Sequence, residues 1–321
     1  MTSLPFHPFR FGVINEQMGD PAAWGEKARQ IEAAGYATFL LRDHFVPDFF
    51  GDQLAPLIGL LAAATATQTL RVGTMVLCND YRHPVMVAKE AATLDQLSGG
   101  RFELGLGAGW LQSEYAQAGL PFDAPGVRVS RLAEAIRVLK GLFADGPLHF
   151  AGEHYTINGI DGYPKPYQRP HPPLLIGAGS KRMLMLAGRE ADIVGLLTTS
   201  VRTGTLIADP TERLADSVLE KLAWIRDGAG PRFPQLELSL IIDFHITPDR
   251  RGVAEQLIGE RQWQGITVEQ VLAMPAIFIG TVAEIIEEFY RRREQYGFSY
   301  YVVNDEAMTR FAPIAAALRG R

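Results

Sequence analysis

Cysteine is almost missing from this chain: Cys78 is the only one in 321 residues. That excludes an internal disulfide framework and any multi-cysteine metal site. No HxH or HExxH pattern occurs, and the spacing of His149 and His154 in HFAGEH matches no common ligand motif, so no metal site is expected. GxSxG is absent too, which leaves a serine nucleophile without its usual turn. Positive charge is in short supply: 31 Lys and Arg stand against 36 Asp and Glu, for a formal charge of −5. With no basic run, nucleic acid is not expected as a partner. The longest apolar stretch, LAPLIGLLAAATA at 54–66, is too short to span a bilayer and is interrupted by Pro56 and Gly59. The opening MTSLPFHPFR has no basic segment followed by a long apolar one, so the expected location is cytoplasmic and the expected partner a small-molecule substrate, with no membrane involved.

What is present is ordinary globular material, 47% hydrophobic and 21% charged, arranged with a rhythm. FRFGVI (9–14) reads as a strand, and Asp20-Pro21 opens a helix that runs to Ala34 and stops at Gly35. ATFLL follows as strand, 53–68 as helix, LRVGTMVL (70–77) as strand, and 84–97 as helix. RFELGLG (101–107) is a strand before a helix over 128–143, where Leu132, Ile136, Leu139 and Phe143 share one face. After the proline-rich YPKPYQRPHPP (163–173), PLLIGAG, DIVGL (192–196), LELSLIIDFHI (236–246) and FSYYVV (298–303) are strands alternating with helices over 180–189, 210–227, 281–296 and 306–318. About eight βα units with doubly buried strands predict an α/β fold, a closed (β/α)8 TIM barrel carrying insertion segments, as a single domain over residues 1–321. An open doubly wound sheet would place a glycine-rich turn after its first strand, where this chain has INEQMGDP. Stretches 109–127, 144–172 and 197–209 lack periodicity and are candidate walls or lids of a pocket.

A barrel keeps its active site at the C-terminal ends of its strands, and that rule selects residues. The second strand runs through FLLRDHF and delivers Asp43 and His44; the third delivers Val76 to Asn79. Gly105, Gly107, Gly109 and Trp110 follow the fourth, Gly177, Ala178, Gly179 and Ser180 the fifth, and the seventh ends near Asp243 and His245. GAGSKR (177–182) suits either a phosphate at a helix start or a tight βα turn. GLGAGW (105–110) lets backbone approach something flat or bulky, and Trp110 at the third glycine position sets it apart from a dinucleotide fingerprint. His44 is either a general base or a strand-end imidazole bonded to nearby backbone. Asp43 and His44 can share one site only if the strand has already broken into loop. His83, before Pro84, is expected to cap the third helix.

The stretch LRVGTMVLCNDYRHPVMVAKEAATLDQLSGGRFELGLGAGW (70–110), with RDHF at 42–45 and PPLLIGAGSKRMLMLAGREADIVGL (172–196), resembles the luciferase-like monooxygenase superfamily, and within it the group using the deazaflavin coenzyme F420. The resemblance covers nearly the whole chain and implies the same barrel. It implies a bulge in the third strand with a cis peptide between Met75 and Val76, lying against the ring of the coenzyme. Cys78 and the run Gly107, Ala108, Gly109 and Trp110 would flank the coenzyme, and Gly177, Ala178, Gly179 and Ser180 would take its phosphate. Asp43 would contact the coenzyme, and His44 would exchange a proton with the substrate while hydride passes between substrate and ring. Sugar-phosphate dehydrogenases of that group carry a glutamate where this chain has Trp110. A small apolar substrate is therefore expected, in a pocket lined by Phe45, Phe49, Phe50, Trp110 and Tyr115. A monooxygenase using reduced FMN is the alternative, and a non-catalytic flavin-binding barrel a third. The resemblance also implies a homodimer, for which the face of 54–66 is one candidate surface.

Overall fold

A computed structural model of the chain describes residues 3–47, 51–199 and 209–321. Eight parallel barrel strands run in chain order: β1 Arg10–Ile14, β2 Thr38–Leu41, β3 from Arg71, β4 Phe102–Gly107, β5 Leu174–Ala178, β6 Ile193–Leu196, β7 Glu237–Ile241 and β8 Phe298–Asn304. β3 comes in two pieces: Arg71–Thr74 pairs with β2 and the start of β4, and Leu77–Cys78 resumes the pairing with β4. Between the pieces, the Met75–Val76 peptide is cis, at the bond the resemblance implied. The ring closes because β8 pairs with both β1 and β7 while β3 pairs with β4.

Local chemistry places the turns. Asp20 accepts the Ala22 N–H ahead of Pro21, and the His83 ring accepts from Val85 N with Pro84 in the first turn, the capping role expected of it. The helix Val282–Tyr296 opens with a Thr281–Glu284 capping box and ends at Gly297, whose φ of +80° only glycine adopts without strain. Leu132, Ile136, Leu139 and Phe143 are all buried on one side of the helix Pro125–Phe143.

Two expectations need correction. LELSLIIDFHI is not one strand: Ile242 N bonds to Val302 O on β8, but Asp243 N turns to Ala276 O. Residues Asp243–Ile246 thus leave the barrel and pair with Ile277–Gly280 in a separate two-stranded sheet. That sheet covers its own apolar cluster, around Leu257, Trp263, Val271 and Met274, which draws the strand away. Asp243 and His245 consequently lie beyond the end of the seventh barrel strand, which stops at Ile241. The aperiodic stretches also hold structure: 144–172 contains the hairpin Leu148–Ala151 with Thr156–Ile160, and 109–127 contains the helix Gln112–Ala118. These elements are too short for periodicity to register. The proposed lid at 197–209 falls largely on 200–208, outside the described residues.

Inside the barrel, the end opposite the site is closed by charge. Arg10 bonds Glu237 bidentately at 2.7 and 2.6 Å and reaches Glu103 at 2.6 Å, while Arg71 Nε donates to the same Glu103 oxygen at 2.6 Å. Above them lies an apolar layer of Ile14, Leu40, Leu175, Ile193, Tyr300 and Val302. Burial disfavours the Glu103 carboxylate, but the Arg10 and Arg71 guanidiniums overcome it and hold the group below the usual carboxylate range. A folded-state pKa below the unfolded one gives stability that is present at neutral pH and lost as pH falls below about 4. Glu103→Ala leaves Arg71 without its carboxylate and Arg10 with Glu237 alone, and is expected to cost about 3–5 kcal/mol in urea unfolding at pH 7. A midpoint unchanged from wild type would contradict this reading.

Candidate functional site

A cavity of about 420 Å³ opens at the C-terminal ends of the strands. Every candidate coenzyme-site residue named from the sequence lines it. β2 contributes Asp43 and His44, the β3 bulge Met75, Val76 and Cys78, the exit of β4 Gly107, Ala108, Gly109 and Trp110, and the exit of β5 Gly177, Ala178, Gly179 and Ser180. Asp43 and His44 can both face it because β2 ends at Leu41, so the strict alternation of a strand no longer applies.

Val76 makes the floor. Its methyl groups project into the barrel where β4 and β5 carry glycine: a Cβ at Gly107 would meet Cγ2 at 2.7 Å, and one at Gly177 would meet Cγ1 at 3.3 Å. These glycines create room for the bulge. Gly109 serves the wall instead: its φ is +74°, and a side chain there would collide with the Tyr115 hydroxyl and Cys78 Sγ.

Asp43 anchors this arrangement. Buried at 5% exposure, it pairs bidentately with Arg82 at 2.5 and 2.9 Å and accepts the Cys78 N–H at 2.9 Å. Its charge is therefore balanced inside the protein and ties β2 to the bulge. Cys78 Sγ lies 3.2 Å from the Tyr115 hydroxyl, which donates to Asp80 at 3.0 Å. Burial pushes the Cys78 thiol up to about 12, so it stays protonated and is a polar wall group rather than a nucleophile.

His44 is held by a residue that sequence reasoning missed. Its Nδ1 lies 3.0 Å from Oε2 of Glu114, and the imidazole meets the Trp110 ring edge-on at 5.9 Å. Glu114 is 1% exposed, and its carboxylate has four donors: the Phe45 and Val46 N–H groups on Oε1 at 2.7 and 3.2 Å, and His44 and the Tyr81 hydroxyl on Oε2, each at 3.0 Å. Burial, with Cys78 and Glu114 nearby, raises the Tyr81 hydroxyl far above its ordinary value, so it remains a donor. Glu114 sits in the short helix read as irregular, and an acid in a helix's first turn is too common to mark it. The imidazole is thereby oriented as a general base requires.

The phosphate candidate has the right polarity. Ser180 precedes the helix Lys181–Glu190, and its hydroxyl makes no capping bond. Lys181 and Arg182, in the first turn of that helix, line a separate surface pocket with Val129 and Met185, so at this end of the cavity only Ser180 and the helix N-terminus face an anion. A group bearing a phosphate fits Ser180 and that helix start.

The aromatic pocket requires revision. Trp110 lines the cavity, but Phe45 is 54% exposed and stacks on Tyr81 at 4.4 Å, turned away as Glu114 captures its backbone N–H. Tyr115 is packed behind the wall, and Phe49 and Phe50 lie outside the described residues. Arg213, not singled out from the sequence, also lines the cavity. No described helix is long and apolar enough to cross a membrane.

Comparison with known proteins agrees with this fold. An F420-dependent secondary alcohol dehydrogenase, solved with an F420–acetone adduct, superposes with a TM-score of 0.75 over 98% of this chain and 100% of that one, at 20% identity, a likeness of fold. In sequence, the chain is 28% identical over 308 residues to an F420-dependent glucose-6-phosphate dehydrogenase of Intrasporangium calvum, covering 90% of each. It is 30% identical over 187 residues to an FMNH2-dependent dimethylsulfone monooxygenase of Pseudomonas putida, covering 56% of this chain and spanning about half (51%) of that relative. The description of the luciferase-like monooxygenase family matches residues 1–317. This chain belongs to that family.

Proposed function

We propose that this chain is a coenzyme F420-dependent oxidoreductase that passes hydride between the deazaflavin and a small organic substrate, with His44 as proton donor or acceptor. The observation that carries this reading is the His44–Glu114 pair at 3.0 Å, set beside the glycine-flanked cavity floor. When bound, the coenzyme supplies a ring carbon that gives or takes the hydride. The protein's part is positional. Val76 and the cleared Gly107 and Gly177 offer a surface for a flat ring. Ser180 and the helix N-terminus would hold the phosphate. Asp43, neutralised by Arg82, keeps the β2 exit in place.

Glu114 engages Nδ1, so proton exchange with a substrate hydroxyl or carbonyl would run through Nε2. The apolar walls at Met75, Trp110, Leu196 and Ile241 limit water around the transfer. Use of FMN with dioxygen remains the second reading, favoured by the similarity to the FMNH2-dependent monooxygenase. A homodimer belongs to the same proposal, with Ile58, 74% exposed, on a candidate contact face.

Titrating the purified protein separately with coenzyme F420 and FMN, followed by fluorescence quenching, tests the coenzyme assignment. Tighter binding of the deazaflavin by at least about tenfold is expected. Preference for FMN would transfer the site to oxygen chemistry, and binding of neither would support the non-catalytic barrel.

A further inference from the structure

Arg213 is a cation in a cavity whose nearby acid is already taken. It closes the short helical turn Pro210–Arg213 and lines the same cavity as His44. Neighbouring groups hold that turn in place: Lys221 pairs with Glu212 at 3.2 Å and donates to the Leu197 and Thr198 carbonyls at 3.2 and 2.7 Å, tying it to the exit of β6. The guanidinium lies 5.8 Å from the Trp263 ring centroid, and Arg261 lies 5.1 Å from the same centroid. Asp243, the acid in this corner, is engaged by Arg261 and by His245 at 3.3 Å. Among the described residues, no carboxylate pairs with Arg213. Burial and the Arg261 charge both work against its protonated form, and Asp243 offsets them only in part.

Position separates this cation from the phosphate candidate. Ser180 and its helix follow β5, whereas the neighbours of Arg213, Asp243 and Arg261, follow β7. Ile241, Ser239 and Leu197, from the ends of β7 and β6, also line the cavity and carry no charge, and Arg261 is already paired with Asp243. A planar guanidinium lacking a carboxylate partner in a partly desolvated wall matches a carboxylate, which it can bind through two parallel hydrogen bonds.

We propose that Arg213 is a specificity-determining residue that recognises a carboxylate on the substrate, so that the substrate is a small organic acid with an apolar body. This deepens the proposed function and rests on the same cavity being the substrate site. The test compares hexanoate and benzoate with their neutral amides by calorimetry, using F420-loaded wild type, Arg213→Gln and Arg213→Lys. Each acid is expected to bind at least about tenfold tighter than its amide in wild type. Arg213→Gln should abolish that preference and Arg213→Lys reduce it, while F420 quenching stays at the wild-type value. Equal binding of acid and amide, no acid binding up to about 10 mM, or a preference that survives in Arg213→Gln would overturn the proposal. Weaker coenzyme binding in Arg213→Gln with the acid preference intact would also overturn it, by assigning the cation to the coenzyme's phosphate. Repeating the acid–amide comparison without coenzyme keeps the outcome separate from the coenzyme assignment, which the F420 and FMN titrations decide alone.

Discussion

Replacing His44 by alanine is expected to lower turnover with reduced coenzyme F420 by about 10²- to 10⁴-fold, the usual range for losing a positioned acid–base group. The coenzyme's dissociation constant should move by less than about threefold. The separation follows from the way the β2 exit is held. Asp43 is fixed by Arg82 and the Cys78 N–H, and the Phe45 and Val46 N–H groups by Glu114, none of which involves the imidazole. Removing the ring therefore leaves the loop's own bonds in place. Steady-state kinetics beside a fluorescence titration read the two quantities independently. A variant that keeps wild-type kcat would remove His44 from the chemistry, whatever its place in the wall.

Glu114→Gln should be nearly as damaging, for a reason carried by its four donors. An amide keeps the volume but has only one acceptor oxygen. If that oxygen stays with the Phe45 and Val46 N–H groups, the NH2 faces His44 Nδ1 and the Tyr81 hydroxyl. Nδ1 must then accept rather than donate, which moves the ring proton to Nε2 and removes the acceptor from the cavity side. If the amide is flipped, two backbone N–H groups lose their partner instead. Two backbone N–H groups at one acceptor favour the first orientation, and there kcat should fall about 10²- to 10⁴-fold, as when a histidine's orienting carboxylate becomes an amide elsewhere. Folding stability should drop by about 1–3 kcal/mol. A positioning role is distinguished from a structural one by the split: kcat falls while KM and coenzyme affinity hold. Loss of stability alone, with kcat intact, would reduce Glu114 to a loop anchor.

The sequence carried the barrel further than the site's second layer. β1, β2 and β4 are short, almost wholly buried and mainly apolar runs, and such runs stand out against helical periodicity. Glycines at 107, 109 and 177 and the acid–imidazole pair at 43–44 were legible because barrel topology says where strand ends go. Glu114 was not, since its role depends on a seven-residue helix folding back over a loop 70 residues earlier, a contact that no local pattern records. The switch at Ile242/Asp243 was hidden for a related reason. LELSLIIDFHI is continuous in β propensity, and only the competing partner at 277–280 divides it. Phe45 misled as an aromatic near the site, because side-chain direction after a strand ends is set by the backbone bonds of the loop.

The most direct test of the central claim is turnover with oxygen excluded. Wild-type protein, reduced coenzyme F420 and a panel of carbonyl and activated-alkene acids are mixed anaerobically, and reappearance of oxidised coenzyme is followed by its absorbance. Oxidation of one coenzyme per substrate reduced is expected, lost in His44→Ala. Turnover that needs dioxygen and reduced FMN, with none supported by reduced F420, would contradict it.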